Sequence, residues 1–379
     1  MNNDVNLVGI LSLNMHTKYL NYGSALQSYA LQKYLGKINV KSVIIDYVPF
    51  HATHYWKKNW FPSFRKIIHP VSFVKQFRWA ISRWQRKKKF SAFFESNYKT
   101  TPTTYLHDEL LTTGISGYNF NAFITGSDTV WKVDQTKGFN KVFFLDIPAT
   151  NDKIKIAYAA SMGARLFSEN EIDEFIKLTA GFKGIGLREQ TKVDYVNQFL
   201  DKPAERVVDP TLLLYNIDYE CIAKKPKMSG YCLLYTCEEN DRLMTEQARD
   251  FARQKDLRLI EISPFYNNKY DYDHKVLNDV GIEEWLGWFM NASYVITNSF
   301  HGMCFSVIFK KNAYLFERNK TDSKMPDLCK MLGLEQCLIS CDKKQIEDAN
   351  VQINWTDVNE RLDRARKVSY DFLEKMLAD

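Results

Sequence analysis

Unbroken apolar runs alternate with amphipathic stretches along this chain, and the runs end on polar loops. NLVGILSL is a strand by this pattern, followed by the loop NMHTKYLNYG. Leu26, Ala30 and Tyr34 then recur at helical spacing beside Leu31 and Leu35, which predicts a helix over SALQSYALQKYL. Ser24 is its expected N-cap and Gly36 its expected stop. VKSVIIDYV completes a β-α-β unit. FSAFFESNY is helical in pattern, while YNFNAFITGSD, KIKIAYAASMG and FKGIGLREQ each read as a strand running into polar residues. RVVDPTLLL closes this first block.

SGYCLLYTCEEN opens a second block of the same kind. A helix near 241–255, the strand LRLIEIS, the helix GIEEWLGWFMNA and the strand SYVITNS follow. After them come the helix GMCFSVIFK and the strand NAYLFERNK. VNERLDRARKVSYDFLEKML is one long amphipathic helix, with Val358, Leu362, Ala365 and Val368 as its apolar stripe. Strands and helices alternating in two blocks predict an α/β protein of two Rossmann-like, parallel-sheet domains facing a cleft. The expected boundaries are 1–217, 218–350 and, for the terminal helix, 351–379. The junction falls around 215–229, where KKPKMSG reads as linker.

At 379 residues the chain is long enough for two cores, and 45% hydrophobic with 25% charged residues fits a globular protein. Its longest apolar runs are too short for a transmembrane helix. MNNDVNLVGI lacks the basic and long apolar regions of a secretory signal. A cytoplasmic location is expected. Seven cysteines, an odd number with no C-x-x-C pair and no adjacent histidines, read as free thiols rather than a zinc site. No metal cluster stands out.

The net charge of +6 is unevenly spread: no acid lies between Asp46 and Glu95, yet eleven Lys and Arg do. This basic, aromatic insertion, about 51–105, has three readings. It is a solvated face of helices, a surface for an anionic membrane or a lipid-linked diphosphate, or a nucleic-acid patch. No nucleic-acid motif accompanies it, so nucleic acid is not an expected partner.

Polar residues gather at strand ends, where doubly wound sheets bind ligands. Asn21, Tyr22, Gly23 and Ser24 follow the first strand; Gly126, Ser127 and Asp128 follow FIT; Ser161 and Gly163 follow YAA; Arg188 follows GIGL. In the second block Asn298, Ser299 and His301 follow VIT, and Arg318, Asn319 and Lys320 follow YLF. Taken singly, Gly-Ser-Asp is common turn chemistry, a strand-end Arg is often a surface ion pair, and His301 could be a core histidine. At a helix start, however, an imidazole is well placed to donate to phosphate oxygens. There is neither a full G-x-G-x-x-G in the first block nor a P-loop. A small anionic ligand between the domains, met by Arg188, His301, Lys320 and Lys324, fits better.

The ordered motifs NYGSALQSYALQKYL, FITGSDTVW, AYAASMG, GLREQ, VVDPTLLL and TNSFHGMCFSVIF resemble the polysaccharide pyruvyl transferase family, from the first strand to about Leu334. The resemblance implies a fold like the GT-B glycosyltransferases and transfer of pyruvate from phosphoenolpyruvate onto a sugar as a ketal. The acceptor would belong to a capsule, exopolysaccharide or wall polymer, carried on lipid or free. By the same resemblance, Arg188 and His301 bind the donor with Ser299 and either Lys320 or Lys324. No cofactor is implied beyond the co-substrate. Asp128 is the candidate for proton transfer with the acceptor, and His301 is its rival. The loops at Asn21–Ser24, Gly126–Ser127, Ser161 and Gly163 would face the acceptor. Thr129, Ser24 and Asn312 depart from the family pattern, where Gln, an acid or Asn, and Pro are usual. Alanine at Arg188 or His301 is expected to abolish transfer with near-normal melting. The alternatives are a nucleotide-sugar glycosyltransferase on the same fold and a non-catalytic scaffold of polysaccharide assembly.

Overall fold

The computed structural model describes residues 7–17, 20–50, 70–134, 137–237, 241–263, 274–342, 345–347 and 350–378, with the side chains of 70–76 excepted. Residues 51–69 of the basic insertion lie outside the described residues.

The first half builds a six-stranded parallel sheet in the order β2-β1-β5-β6-β7-β8. Its strands are β1 (Leu7–Leu11), β2 (Lys41–Ile44), β5 (Ala122–Thr125), β6 (Ile154–Ala160), β7 (Gly184–Leu187) and β8 (Glu205–Arg206). A two-stranded ribbon, β3 (Tyr47–Val48) with β4 (Tyr105–Leu106), stands beside it. Every residue of β5 and β7 is buried, which is why these strands read as apolar runs without alternation. The covering helices are α1 (Tyr22–Lys37), α2 (Pro70–Asn97), α3 (His107–Thr112), α4 (Glu169–Thr179) and α5 (Gln190–Val196). Two short helices, α6 (Pro210–Leu213) and α7 (Asn216–Glu220), lead out of the sheet.

The second half repeats the plan in the order β11-β10-β9-β12-β13-β14, again parallel throughout. Its strands are β9 (Cys232–Tyr235), β10 (Leu259–Ile262), β11 (Lys275–Leu277), β12 (Tyr294–Thr297), β13 (Asn312–Phe316) and β14 (Leu338–Ile339). The helices are α8 (Arg242–Gln254), α9 (Ile282–Asn291), α10 (Phe300–Ile308) and α11 (Lys324–Leu332), and the chain ends in α12 (Trp355–Leu377). The fold is the expected α/β pair of Rossmann-like domains. Strand order reverses between β1 and β5 in one sheet and between β9 and β12 in the other, so each sheet has one switch point.

The two halves share one continuous apolar core rather than meeting loosely. Tyr22, placed by its sequence position among the acceptor-facing residues, is 2% exposed and joins the halves instead. Its ring stacks on Trp285 at 5.3 Å, and its hydroxyl donates to the Val280 carbonyl at 2.7 Å. An aromatic of that size is spent on packing, not on solvent or ligand. Arg86 of α2 covers the other face of the ring at 4.7 Å and donates to the Leu20 carbonyl at 2.7 Å.

Three local expectations are corrected. The N-cap of α1 is Asn21, whose carboxamide oxygen accepts from the Gly23 and Ser24 amides; the Ser24 hydroxyl is used elsewhere. α1 also runs through Gly36 to Lys37 before Asn39 turns left-handed at φ 61°. On α12 the buried face continues from Leu362 to Arg366 and Ser369, leaving Val368 49% exposed. Polar residues hold that face because they have partners. Arg366 donates to the Leu212 and Leu214 carbonyls, and the Ser369 hydroxyl accepts from the Val208 amide. The apolar-only stripe missed this turn of the helix.

The seven cysteines are free, four of them buried. Among the described residues no helix is long and apolar enough to cross a membrane, and no group of three His, Cys, Asp or Glu is disposed to hold a metal ion.

Candidate functional site

Both switch points open toward each other, and the residues just past β1, β5, β7 and β12 meet there. The centre is Asp209, which the sequence reading did not single out. It caps α6, its Oδ1 accepting from the Thr211 amide at 3.0 Å and the Thr211 hydroxyl at 2.7 Å. Its Oδ2 accepts from the Ser127 hydroxyl at 2.9 Å and from Arg188 Nη1 at 3.0 Å. His301 Nε2, arriving from the second half on the first turn of α10, lies 3.5 Å from the same oxygen. Asp209 is 1% exposed. Burial alone would raise its pKa, but the charges of His301 and Arg188 and the Thr211 amide hold it well below the usual carboxylate range.

Arg188 is 6% exposed and His301 7%. Besides Asp209, Arg188 Nη1 reaches the Ser127 hydroxyl at 3.3 Å, while Nε lies 3.4 Å from Glu189 Oε1. The guanidinium carbon stands 4.5 Å over the Phe300 ring. Burial works to lower the Arg188 pKa, but Glu189, Asp209 and Asp128 hold it above the usual value, so it stays charged. Glu189 in turn accepts from the Ser161 hydroxyl at 2.9 Å. Ser127 and Ser161 therefore orient the charged groups rather than line open space. Glu189 Oε2, His301 Nε2 and Asn298 Nδ2 are buried without a hydrogen-bond partner among the described residues. Gathered at the cluster, these three atoms leave hydrogen-bonding capacity that a ligand could use.

The imidazole is seated on the first half. A Cβ at Gly23 would fall 2.0 Å from His301 Nδ1, so only glycine lets α1 approach the ring this closely. Ser299, expected on the donor, caps α10 instead, its hydroxyl accepting from the Gly302 amide at 3.2 Å. Gly126 packs on Ser12, where a Cβ would come within 2.8 Å of the Ser12 Cβ.

Asp128 is half-buried and adopts φ 76°, an uncommon conformation for a residue with a Cβ. It is held there from three sides. Its carbonyl accepts from the Val130 and Ser161 amides, its Oδ1 from the Thr129 amide, and its Oδ2 from the Ser24 hydroxyl. Burial would raise its pKa, but His301, Arg188, Ser24 and Lys324 together lower it. Asp128 is thus a carboxylate near neutral pH, able to accept a proton and not to give one.

Its neighbour Thr129 lines a cleft of about 700 Å³ between the halves. Gly163, at φ 77°, is on the same wall with Lys132 and Arg165; Arg318, Asp322 and Lys324 form the opposite one. Of the two candidate lysines the structure brings only Lys324 here. Lys320 points away, its side chain 70% exposed and paired with Asp342 at 2.7 Å. The expectation of a strongly cationic centre needs a second correction. The cations arrive with Asp128, Glu189 and Asp209 as partners, and of these carboxylates the sequence singled out only Asp128.

Asp209 carries a stability prediction. A carboxyl with a depressed folded pKa contributes fully above its unfolded pKa, about 4, and loses that contribution as pH falls toward the folded value. The urea midpoint is therefore expected to fall below about pH 4, and Asp209→Asn to flatten that dependence while costing about 3–5 kcal/mol at pH 7. Urea unfolding of both proteins at pH 7 and at about pH 2.5 checks it.

Several solved structures share the architecture. Arabidopsis thaliana UGT89C1, complexed with UDP-L-rhamnose, matches with a TM-score of 0.52 at 8% identity, over 99% of each chain. The Methanocaldococcus jannaschii UDP-GlcNAc 2-epimerase in complex with UDP-GlcNAc and UDP gives 0.49 at 14% identity, over 96% of this chain and 99% of that one. Acinetobacter baumannii MurG gives 0.42 at 9% identity, over 98% and 99%. The likeness to UGT89C1 speaks for the GT-B fold and for nothing finer. No curated protein matches the sequence. The family model described as polysaccharide pyruvyl transferase matches residues 21–320, a span that holds Gly23, Asp128, Arg188, Asp209 and His301. With most of the chain and the whole cluster inside that match, the protein belongs to the polysaccharide pyruvyl transferase family.

Proposed function

We propose that this protein moves the pyruvate unit of phosphoenolpyruvate onto a sugar of a polysaccharide precursor as a ketal. The observation that supports it most is the convergence of Arg188 and His301, from opposite halves, on the single carboxylate of Asp209. Phosphoenolpyruvate bears a phosphate of about −1.5 to −2 charges near neutral pH and a carboxylate. Arg188 Nη2 has no partner among the described residues and His301 Nε2 lacks a hydrogen bond, so both can turn to it. Lys324, its side chain 16% exposed at the cleft, supplies a further charge.

In this reading His301 delivers a proton to the methylene carbon, and C2 becomes oxocarbenium-like. Asp128, already ionised, accepts the proton of an acceptor hydroxyl as its oxygen bonds to C2. A neighbouring hydroxyl then adds at C2 while the C–O bond to phosphate breaks, and its proton leaves with the phosphate. The products are the cyclic ketal and inorganic phosphate. The Ser24 hydroxyl, donating to Asp128, keeps that carboxylate oriented between transfers.

Incubating the protein with phosphoenolpyruvate and sugar acceptors tests this. Phosphate release together with a pyruvyl mass gain on the acceptor is expected. Turnover of a UDP- or GDP-sugar in place of phosphoenolpyruvate would assign the cleft to glycosyl transfer instead, and no turnover with any donor would leave a scaffold. The two lysines separate in the same assay. Lys324→Ala is expected to raise the KM for phosphoenolpyruvate about ten- to hundredfold, the loss of one charge-assisted contact. Lys320→Ala is expected to change it less than about twofold, as for an exposed ion pair.

A further inference from the structure

The helix α2 carries two opposed stripes. At about 100° per residue, Arg86, Phe90 and Phe93 share one side and Phe77, Ile81, Trp84 and Lys88 the other, about 180° around. The first stripe is buried, at 4%, 1% and 1% exposure. It fastens the helix to both halves, with Phe90 5.1 Å from the Tyr22 ring and Lys89 bonded to Glu284 at 2.8 Å. On the second stripe Ile81 is 41% exposed and Trp84 61%. An indole and an isoleucine left out while phenylalanines of the same helix are buried make a patch that ordinary surface does not need.

Before Glu95 every charged residue of this helix is a cation. Arg78 and Lys88 are exposed beside the patch, Lys88 Nζ lying 5.9 Å from the Trp84 ring, and no acid occurs in the sequence between Asp46 and Glu95. A helix with apolar and aromatic residues on its outer face and cations flanking them suits the interface of an anionic bilayer. There the indole sits at headgroup level and each cation meets acidic lipid. We infer that the outer face of α2 docks this protein on an anionic membrane surface. The inference does not depend on the donor. The buried stripe opposite fixes where the docked face stands: Arg86 holds the Leu20 carbonyl, one residue before the Asn21 cap and three before Gly23, on which His301 rests. The membrane would lie across one helix from the loop that opens the site.

Co-sedimentation with phosphatidylcholine vesicles, with and without about 30% phosphatidylglycerol, tests it. The protein is expected to pellet with the anionic vesicles only, and less as salt rises from about 0.1 M to about 0.5 M. Ile81→Ser with Trp84→Ser is expected to weaken partitioning about tenfold or more. Arg78→Glu with Lys88→Glu is expected to weaken it at least about tenfold. All four side chains are off the core, so melting of both variants should match the parent. Failure to pellet with anionic vesicles at low salt overturns the inference, as does undiminished binding by both double variants. Equal binding to neutral vesicles overturns the role of the cations.

Discussion

Arg188→Ala is expected to abolish transfer and also to lower the melting temperature of the protein substantially. The guanidinium is the partner of Asp209 and Glu189, both buried, and removing it leaves Glu189 without its cation and Asp209 with His301 alone. Breaking a buried pair in this way costs about 3–5 kcal/mol, against a total stability of about 5–15 kcal/mol. The sequence-based expectation of near-normal melting is therefore corrected for this residue; the surrounding carboxylates were not visible from the motif GLREQ alone. Arg188→Lys separates the two roles. A lysine keeps the charge for Asp209 but cannot hold Ser127, Asp209 and a ligand with one planar fork. That variant should melt close to the parent, with kcat/KM for phosphoenolpyruvate down by about 10²–10³. His301→Ala leaves Asp209 with its Arg188 contact and is expected to be the milder change for stability, though equally inactive. Thermal unfolding alongside initial rates checks all three.

Gly23→Ala should be nearly as damaging to activity, from a single methyl group. The new Cβ would fall 2.0 Å from Nδ1, 2.3 Å from Cγ and 2.6 Å from Cε1 of His301. The ring has to swing by about 1 Å, and a displacement of that size costs about 10²-fold in rate. Gly36→Ala on the same helix is the control. A Cβ there meets nothing within 4 Å, and alanine inside a helix is favoured over glycine by about 0.5–1 kcal/mol. Rates and melting curves of the two variants should diverge in opposite directions, Gly23→Ala losing activity and Gly36→Ala gaining stability.

The parallel strands were legible because burial on both faces makes them near-continuous apolar runs, as AFIT and GIGL are. β11 and β14 were not, being edge strands of three and two residues with no such run to read. The cluster was half legible. Arg188 and His301 stand at strand ends in recognisable motifs, and the structure brings them together. Asp209, their common partner, lies 21 residues from Arg188 and 92 from His301 in sequence, so only the fold makes the three neighbours. Its local signal was present all the same, an Asp before Pro-Thr that caps the short helix α6. Tyr22 was misassigned because a loop position beside functional residues gives no warning of a partner such as Trp285 in the other half.

A crystal structure of the protein soaked with phosphoenolpyruvate bears most directly on the central claim, that two halves join their side chains to seat a small trianion. The expected map has the ligand between Arg188 Nη2 and His301 Nε2, with Lys324 on its cleft side. Ligand density elsewhere, with the Arg188–Asp209–His301 cluster unchanged and untouched, would contradict it.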